Sequence, residues 1–325
     1  MSNRIQAGTL DPGPQAAGEP RPYAPSFIDS LMGLVERLPG PYWLTYLALF
    51  VLQSSALHVL AWIDGWLPAY TFAPILLMFP LWLWGPLTIM SYLNSIAREA
   101  LDSFRPLLDL DEQGLRRLQA EFTTMPARGV ILGGLFWAIV YGILTALRFD
   151  EISASFGFGR ATALVVTVEG LVTFATGSAI YYHSLRQLKL VSRTVNMARQ
   201  VSLFHLDPAY AFSRLTARTG VSWMLLLSLT LLTFPIQLAN APVLAILALQ
   251  VLLALAAFVL PLRSVHYRLV SEKRRLMADF HARLERTLER LHADLDTYEL
   301  GAVDKLNDAI AALGMEHDML ARIPT

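Results

Sequence analysis

Glu169 is the only acidic residue inside six long apolar blocks of this sequence. A carboxyl group at that depth in hydrocarbon is costly, and its default reading is a functional one: a place for a cation, a proton or a small polar solute. Glu169 stands in a polar stripe, Thr162, Glu169, Thr173 and Thr176, whose spacing of seven, four and three falls on one helix face. A second stripe, Thr230, Thr233, Gln237 and Asn240, lies in the fifth block. Counted from the outer ends of their blocks, Glu169, Thr233 and Gln250 reach nearly equal depth, with Gln53 and His58 of the first block nearby. The expected site is a polar layer in the outer half of a bundle, with Glu169 as its charge and Thr173, Thr233, Gln237, Gln250, Gln53 and His58 as its other ligands. The same groups would serve equally as interhelical hydrogen-bonding glue.

Other chemistry is thinly represented. Pro74, Pro80 and Pro86 with Gly85 interrupt the second block, as in transporters whose broken helices line a substrate path, although membrane helices also carry kinks without function. Gly129 with Gly133, and Thr173 with Gly177, have the small-xxx-small spacing of close helix contacts. The seven histidines form no zincin pair, and phosphate-binding loop, nucleophile elbow and dinucleotide fingerprint are all missing. With no cysteine there is no disulfide, thiolate chemistry or cysteine-held metal. The expectation is a non-enzyme without cofactor or metal. A net charge of zero does not point to nucleic acid.

The elements that must position these residues follow from composition. Of 325 residues 54% are hydrophobic and 16% charged, with a mean hydropathy of +0.45. That is too little charge for the surface of a soluble chain of this size. A bilayer core about 30 Å thick requires about 20 apolar residues in helix. Six spans are expected, at 41–63, 70–92, 129–147, 161–182, 221–240 and 242–262. The class is therefore all-α: a polytopic helical membrane bundle of six spans with cytoplasmic helical segments and a C-terminal helical hairpin. Of the 26 Lys and Arg, 24 lie on the side of the termini and two, Arg148 and Arg160, on the other. The positive-inside rule then puts both termini in the cytoplasm, for a chain in the inner (plasma) membrane whose first partner is the lipid bilayer.

Residues 1–40, rich in Pro and Gly, read as a disordered cytoplasmic tail ending in an amphipathic piece around Phe27–Leu38. Residues 41–262 form the membrane domain, with helical insertions at 93–128 and 183–220. In the first insertion Asp109 and Glu112 have capping-box spacing for a helix through Leu115 and Leu118 that stops before Pro126. In the second, Asp207-Pro208 opens a helix that runs into the fifth span. Residues 263–325 have a heptad-like stripe through Leu276, Phe280, Leu284, Leu288 and Leu291, a break at Leu300-Gly301, and a second helix with Leu306, Ile310 and Leu313. This arm is expected to associate with itself or with a protein partner. Lys273, Arg274 and Arg275 are placed to meet anionic headgroups at the membrane surface, or simply follow the inside charge bias.

Three returns to the membrane end in a similar way, Pro126-Ala127-Arg128, Thr216-Ala217-Arg218 and Leu320-Ala321-Arg322. The third stops at Pro324-Thr325, so a longer protein with a further span is expected. The stretch Leu203-Phe204-His205-Leu206-Asp207-Pro208-Ala209-Tyr210-Ala211-Phe212-Ser213-Arg214-Leu215-Thr216-Ala217-Arg218 and the ending Ile323-Pro324-Thr325 resemble uncharacterised bacterial multi-pass membrane proteins. The resemblance implies continuation into a tryptophan-containing hydrophobic segment, and no site residues or function. Two functions are open at this point. One is a non-enzymatic scaffold or signal-coupling protein acting through its cytoplasmic helices; the other is a channel or secondary transporter built on the layer around Glu169.

Overall fold

A computed structural model describes residues 23–147, 160–197, 207–233, 241–296 and 303–322. Every regular element among them is helical. In chain order they are α1 (Phe27–Glu36), α2 (Tyr42–Ile63), a 3-10 turn at Pro74–Leu77, α3 (Met78–Phe104), a second 3-10 turn at Arg105–Leu107, α4 (Glu112–Thr123) and α5 (Ala127–Leu147). The chain continues with α6 (Arg160–Gly177), α7 (Ala179–Met197), α8 (Asp207–Thr233), α9 (Ala241–Asp296) and α10 (Val303–Arg322). Five stretches are long and apolar enough to cross a membrane: Tyr42–Ile63, Pro74–Leu107, Ala127–Leu147, Ala161–Met197 and Ala211–Thr233. The sixth expected span, 242–262, lies in the first part of α9, where the side chains are described only in part.

α3 is the centre of the bundle, packed against α2, α6 and α8, while α5 lies against α6 and α9 against α7 and α8. A cluster of Leu93, Ala97, Leu101, Phe104, Phe122 and Phe212 joins α3, α4 and α8 at the end that carries the loops. α5 instead leaves Leu132, Phe136, Ile139 and Ile143 exposed, the surface of a helix that faces lipid.

Several boundaries differ from those expected. The second span does not begin at residue 70, because Tyr70 has φ 66 and Pro74 opens a 3-10 turn. Its prolines do not break it: Pro86 sits inside a continuous α3, and Pro80 lies in the first turn, where no intrahelical donor is needed. The fourth block does turn, at Ser178, into α7, which continues well past residue 182. α4 is capped by Asp111, whose Oδ1 accepts from the Gly114 N–H at 2.8 Å, rather than by Asp109. It ends at Thr123, ahead of Pro126 as expected, while the residues just before Asp207, on which the expected start of α8 depends, lie outside the described residues.

In the N-terminal tail α1 stands where the amphipathic piece around Phe27–Leu38 was expected; residues 1–22 lie outside the described residues. Ser26 N donates to Met125 O at 3.1 Å and Ala127 N to Ala24 O at 3.4 Å, so residues 24–26 pair with the strand-like approach to α5. Ser26 and Asp29 form a capping box at the start of α1.

In the tail, α9 runs unbroken for 56 residues, so the sixth expected span and the arm belong to one helix. α10 packs on it in antiparallel sense. Lys273 Nζ donates to Ala321 O at 3.3 Å, buried Phe280 meets the His317 ring at 5.3 Å between centroids, and Arg283 pairs with Glu316 at 3.8 Å.

Candidate functional site

Glu169 faces inward from α6 and accepts at Oε1 from Gln53 Nε2 of α2, 3.1 Å away. Gln53 in turn accepts at Oε1 from Trp84 Nε1 of α3, at 2.6 Å. Three helices are therefore joined by one chain of hydrogen bonds, Trp84 to Gln53 to Glu169. The second carboxyl oxygen of Glu169 is buried and has no partner among the described residues. One turn further on, buried Thr173 donates to Phe79 O of α3 at 3.4 Å, which ties the same pair of helices again.

The other expected members of the layer lie elsewhere. His58 Nδ1 is 2.7 Å from Ser54 O, and its Nε2 accepts the Ala73 N–H at 3.2 Å. A backbone amide only donates, so Nε2 carries the lone pair and Nδ1 the proton. His58 is thus a neutral strut between α2 and the turn before α3, stacked on Phe72 at 5.0 Å. Gln250 donates to Tyr181 Oη at 2.6 Å, twelve residues beyond Glu169 in sequence and about 18 Å along a helical rise. The Tyr181 ring lies against Trp137 and Trp223, and Trp223 Nε1 donates to Ser184 Oγ at 3.0 Å. Thr233 bonds back to carbonyls of its own helix, at Leu229 and Thr230. Gln237 and Asn240 lie outside the described residues.

Sequence reading missed the tryptophans. Trp84 completes the Glu169 chain, and Trp82 Nε1 donates to Thr230 Oγ1 of α8 at 2.9 Å. An indole N–H inside a membrane bundle needs a partner as much as an amide does. The available signal was a pair of tryptophans two residues apart within one span rather than at its ends.

A second polar constellation joins the N-terminal strap to α4 and α7. Asp29 Oδ2 accepts from Ser26 N and Ser26 Oγ, both at 2.8 Å, and from Met125 N at 2.9 Å. Tyr23 Oη donates to Thr124 O at 2.9 Å and accepts from Arg186, whose guanidinium also lies over the Tyr23 ring and donates to Glu121 O at 2.9 Å. Burial pushes the Asp29 carboxyl above the usual Asp range, against these hydrogen bonds and the Arg186 charge. Tyr23 is also raised, chiefly by burial. At the opposite end, Asp64 after α2 accepts from Thr162 N at 2.9 Å, capping α6 from another helix, and that bond holds its carboxyl below the usual range.

Of the expected surface cations, Lys273 is held by the end of α10 and Arg275 pairs with Glu272 at 2.7 Å, while Arg274 is exposed. Among the described residues no three His, Asp or Glu side chains are grouped to hold a metal ion. Polar groups of the bundle thus join neighbouring helices at these points, while others, such as Thr167 and Thr219, bond back to their own helix. No protein-family model, curated protein or solved structure matches this chain.

Proposed function

We propose that this is a six-span protein of the inner (plasma) membrane with both termini in the cytoplasm. It acts as a non-enzymatic scaffold or signal-coupling protein through its cytoplasmic helices, with residues 263–325 as a helical hairpin that offers the binding surface. The observation that carries the proposal is α9. Its 56 residues extend about 84 Å, far more than the bilayer core needs, with no break between membrane half and arm. Near its start α9 is tied to the bundle by Gln250 and Tyr181, and near Phe280 it carries α10. A shift of the bundle therefore moves the arm as a rigid extension.

The transport reading loses support from the dispersal of the Glu169 layer, since Gln250, Thr233 and His58 each bond elsewhere. Complementation of a deletion strain tests the choice. Glu169→Gln is expected to complement and removal of 264–325 to fail. The reverse pattern, together with proton or cation flux in liposomes holding the full chain, would refute the scaffold reading.

A further inference from the structure

Successive residues of α1 turn by about 100°, which divides the helix into three sectors. Ile28, Met32 and Val35 occupy one and are buried, at 0%, 3% and 4% exposure, in a cluster with Tyr46, Met90 and Trp223. Ser30 and Glu36, both exposed, occupy the polar arc, with Asp29 turned back to Ser26 and Met125. Between them runs a third sector, Phe27 and Leu34, with Leu38 two residues past the helix end, and these three are exposed at 47%, 60% and 47%. The polar arc already supplies a face for water, so the third sector needs a different environment.

The ends of α1 define its orientation. Ser26, just before it, is bonded to Met125, two residues before α5 begins. After it, Pro39-Gly40-Pro41 leads into α2, and Gly40 has φ 106, a conformation open to glycine but strained for other residues. α2 and α5 are the first and third spanning helices, so both start on the same side of the bilayer. A ten-residue helix, about 15 Å long, that bridges these two starts must lie along that leaflet and not across it. Trp43, Leu44 and Leu47, in the first turns of α2, are likewise exposed.

We propose that α1 is an in-plane membrane helix that sinks Phe27, Leu34 and Leu38 into the headgroup–acyl boundary of the leaflet from which α2 starts. This rests on the reading of α2 as a spanning helix. From Ser26 to Leu38 the chain has two acids, Asp29 and Glu36, and one base, Arg37, so contact with the acyl region and not headgroup charge holds it there. The state of that leaflet then bears directly on the Ser26–Met125 pairing at the helix start.

The chain has no cysteine, so one introduced cysteine gives a unique label. Full-length Leu34→Cys, Leu38→Cys, Ser30→Cys and Leu52→Cys, each carrying a nitroxide, are placed in phosphatidylcholine vesicles with and without phosphatidylglycerol. Leu52, 67% exposed midway along α2, is the lipid control, and Ser30 the control on the polar arc. Oxygen collisions are expected to exceed nickel-chelate collisions several-fold at 34, 38 and 52 in both compositions, and to fall below them at 30. Labels at 34 and 38 that behave like 30, with 52 in lipid, would overturn the proposal in favour of a solvated stripe. Protection there from both reagents would overturn it in favour of a protein neighbour, such as a second copy. Failure at 52 would remove the membrane reading itself.

Discussion

Gly177 sits where α6 comes closest to α3, and alanine at this position sets two effects against each other. Inside a helix alanine is favoured over glycine by about 1 kcal/mol. A Cβ on Gly177, however, would lie 2.6 Å from the Trp82 carbonyl oxygen, where ordinary contact begins near 3.4 Å. That oxygen belongs to the backbone of α3, and Pro86 four residues on has no N–H to draw it back into its own helix. Neither partner is a flexible side chain, so the helices must part by several tenths of an ångström, straining the Thr173–Phe79 and Trp82–Thr230 bonds beside them. Overpacking of this kind costs about 1–3 kcal/mol, which against the helix gain leaves Gly177→Ala destabilised by up to about 2 kcal/mol. Gly133 on α5 has nothing within 4 Å of a Cβ, so Gly133→Ala is expected to gain up to about 1 kcal/mol. Unfolding of both variants in mixed micelles, followed by circular dichroism, measures the pair. A Gly177→Ala protein stabilised as much as Gly133→Ala would refute the close approach of α3 and α6.

Three further outcomes are expected. Glu169→Gln should unfold with the parent and Glu169→Ala should lose about 0.6–1.7 kcal/mol in the same micelles, because only alanine leaves the Gln53 amide without its acceptor. The Asp29 carboxyl is raised in the folded latch, so its stabilising contribution is full below the ordinary Asp range and is lost as pH rises through the higher folded value. A nitroxide at Ala24→Cys should therefore grow more mobile over that rise, and Asp29→Asn should flatten the response. Phe280→Ala removes a buried ring worth about 1.5–3 kcal/mol from the contact of α9 with α10, and should speed tryptic cleavage at Lys305 and Arg322 of α10 while cleavage at Arg98 and Arg128 keeps its rate.

Much of the fold was legible because hydrocarbon imposes a simple length rule. The span read at 41–63 is α2, Tyr42–Ile63, and the one read at 129–147 is α5, Ala127–Leu147. The rule loses precision where apolar residues serve a bend. Tyr70, Phe72 and Ala73 are as apolar as a span, yet they form the irregular approach to α3 that His58 braces. The candidate site was legible only as a pair. Gln53 was read as lying near Glu169, and a hydrogen bond joins the two. Counting depth from the ends treats helices as straight, parallel rods, and it fails for Gln250, whose amide reaches Tyr181 on α7, beyond the turn at Ser178. The N-terminal strap escaped notice for another reason. Its order comes from Met125, Thr124 and Arg186, about a hundred residues or more away, and no local composition signals such partners.

The unbroken course of α9 has a consequence for twist. A helix with no joint transmits torque as faithfully as thrust, so a roll of its first turns by about 20° arrives at Phe280 as the same 20°. At a helix radius of about 5 Å that swings a side chain sideways by about 2 Å. α10, held to α9 by contacts such as that of Phe280 with the His317 ring, is carried round with it, without any movement along the helix axis. The arm can thus change which face it presents while its distance from the membrane stays the same.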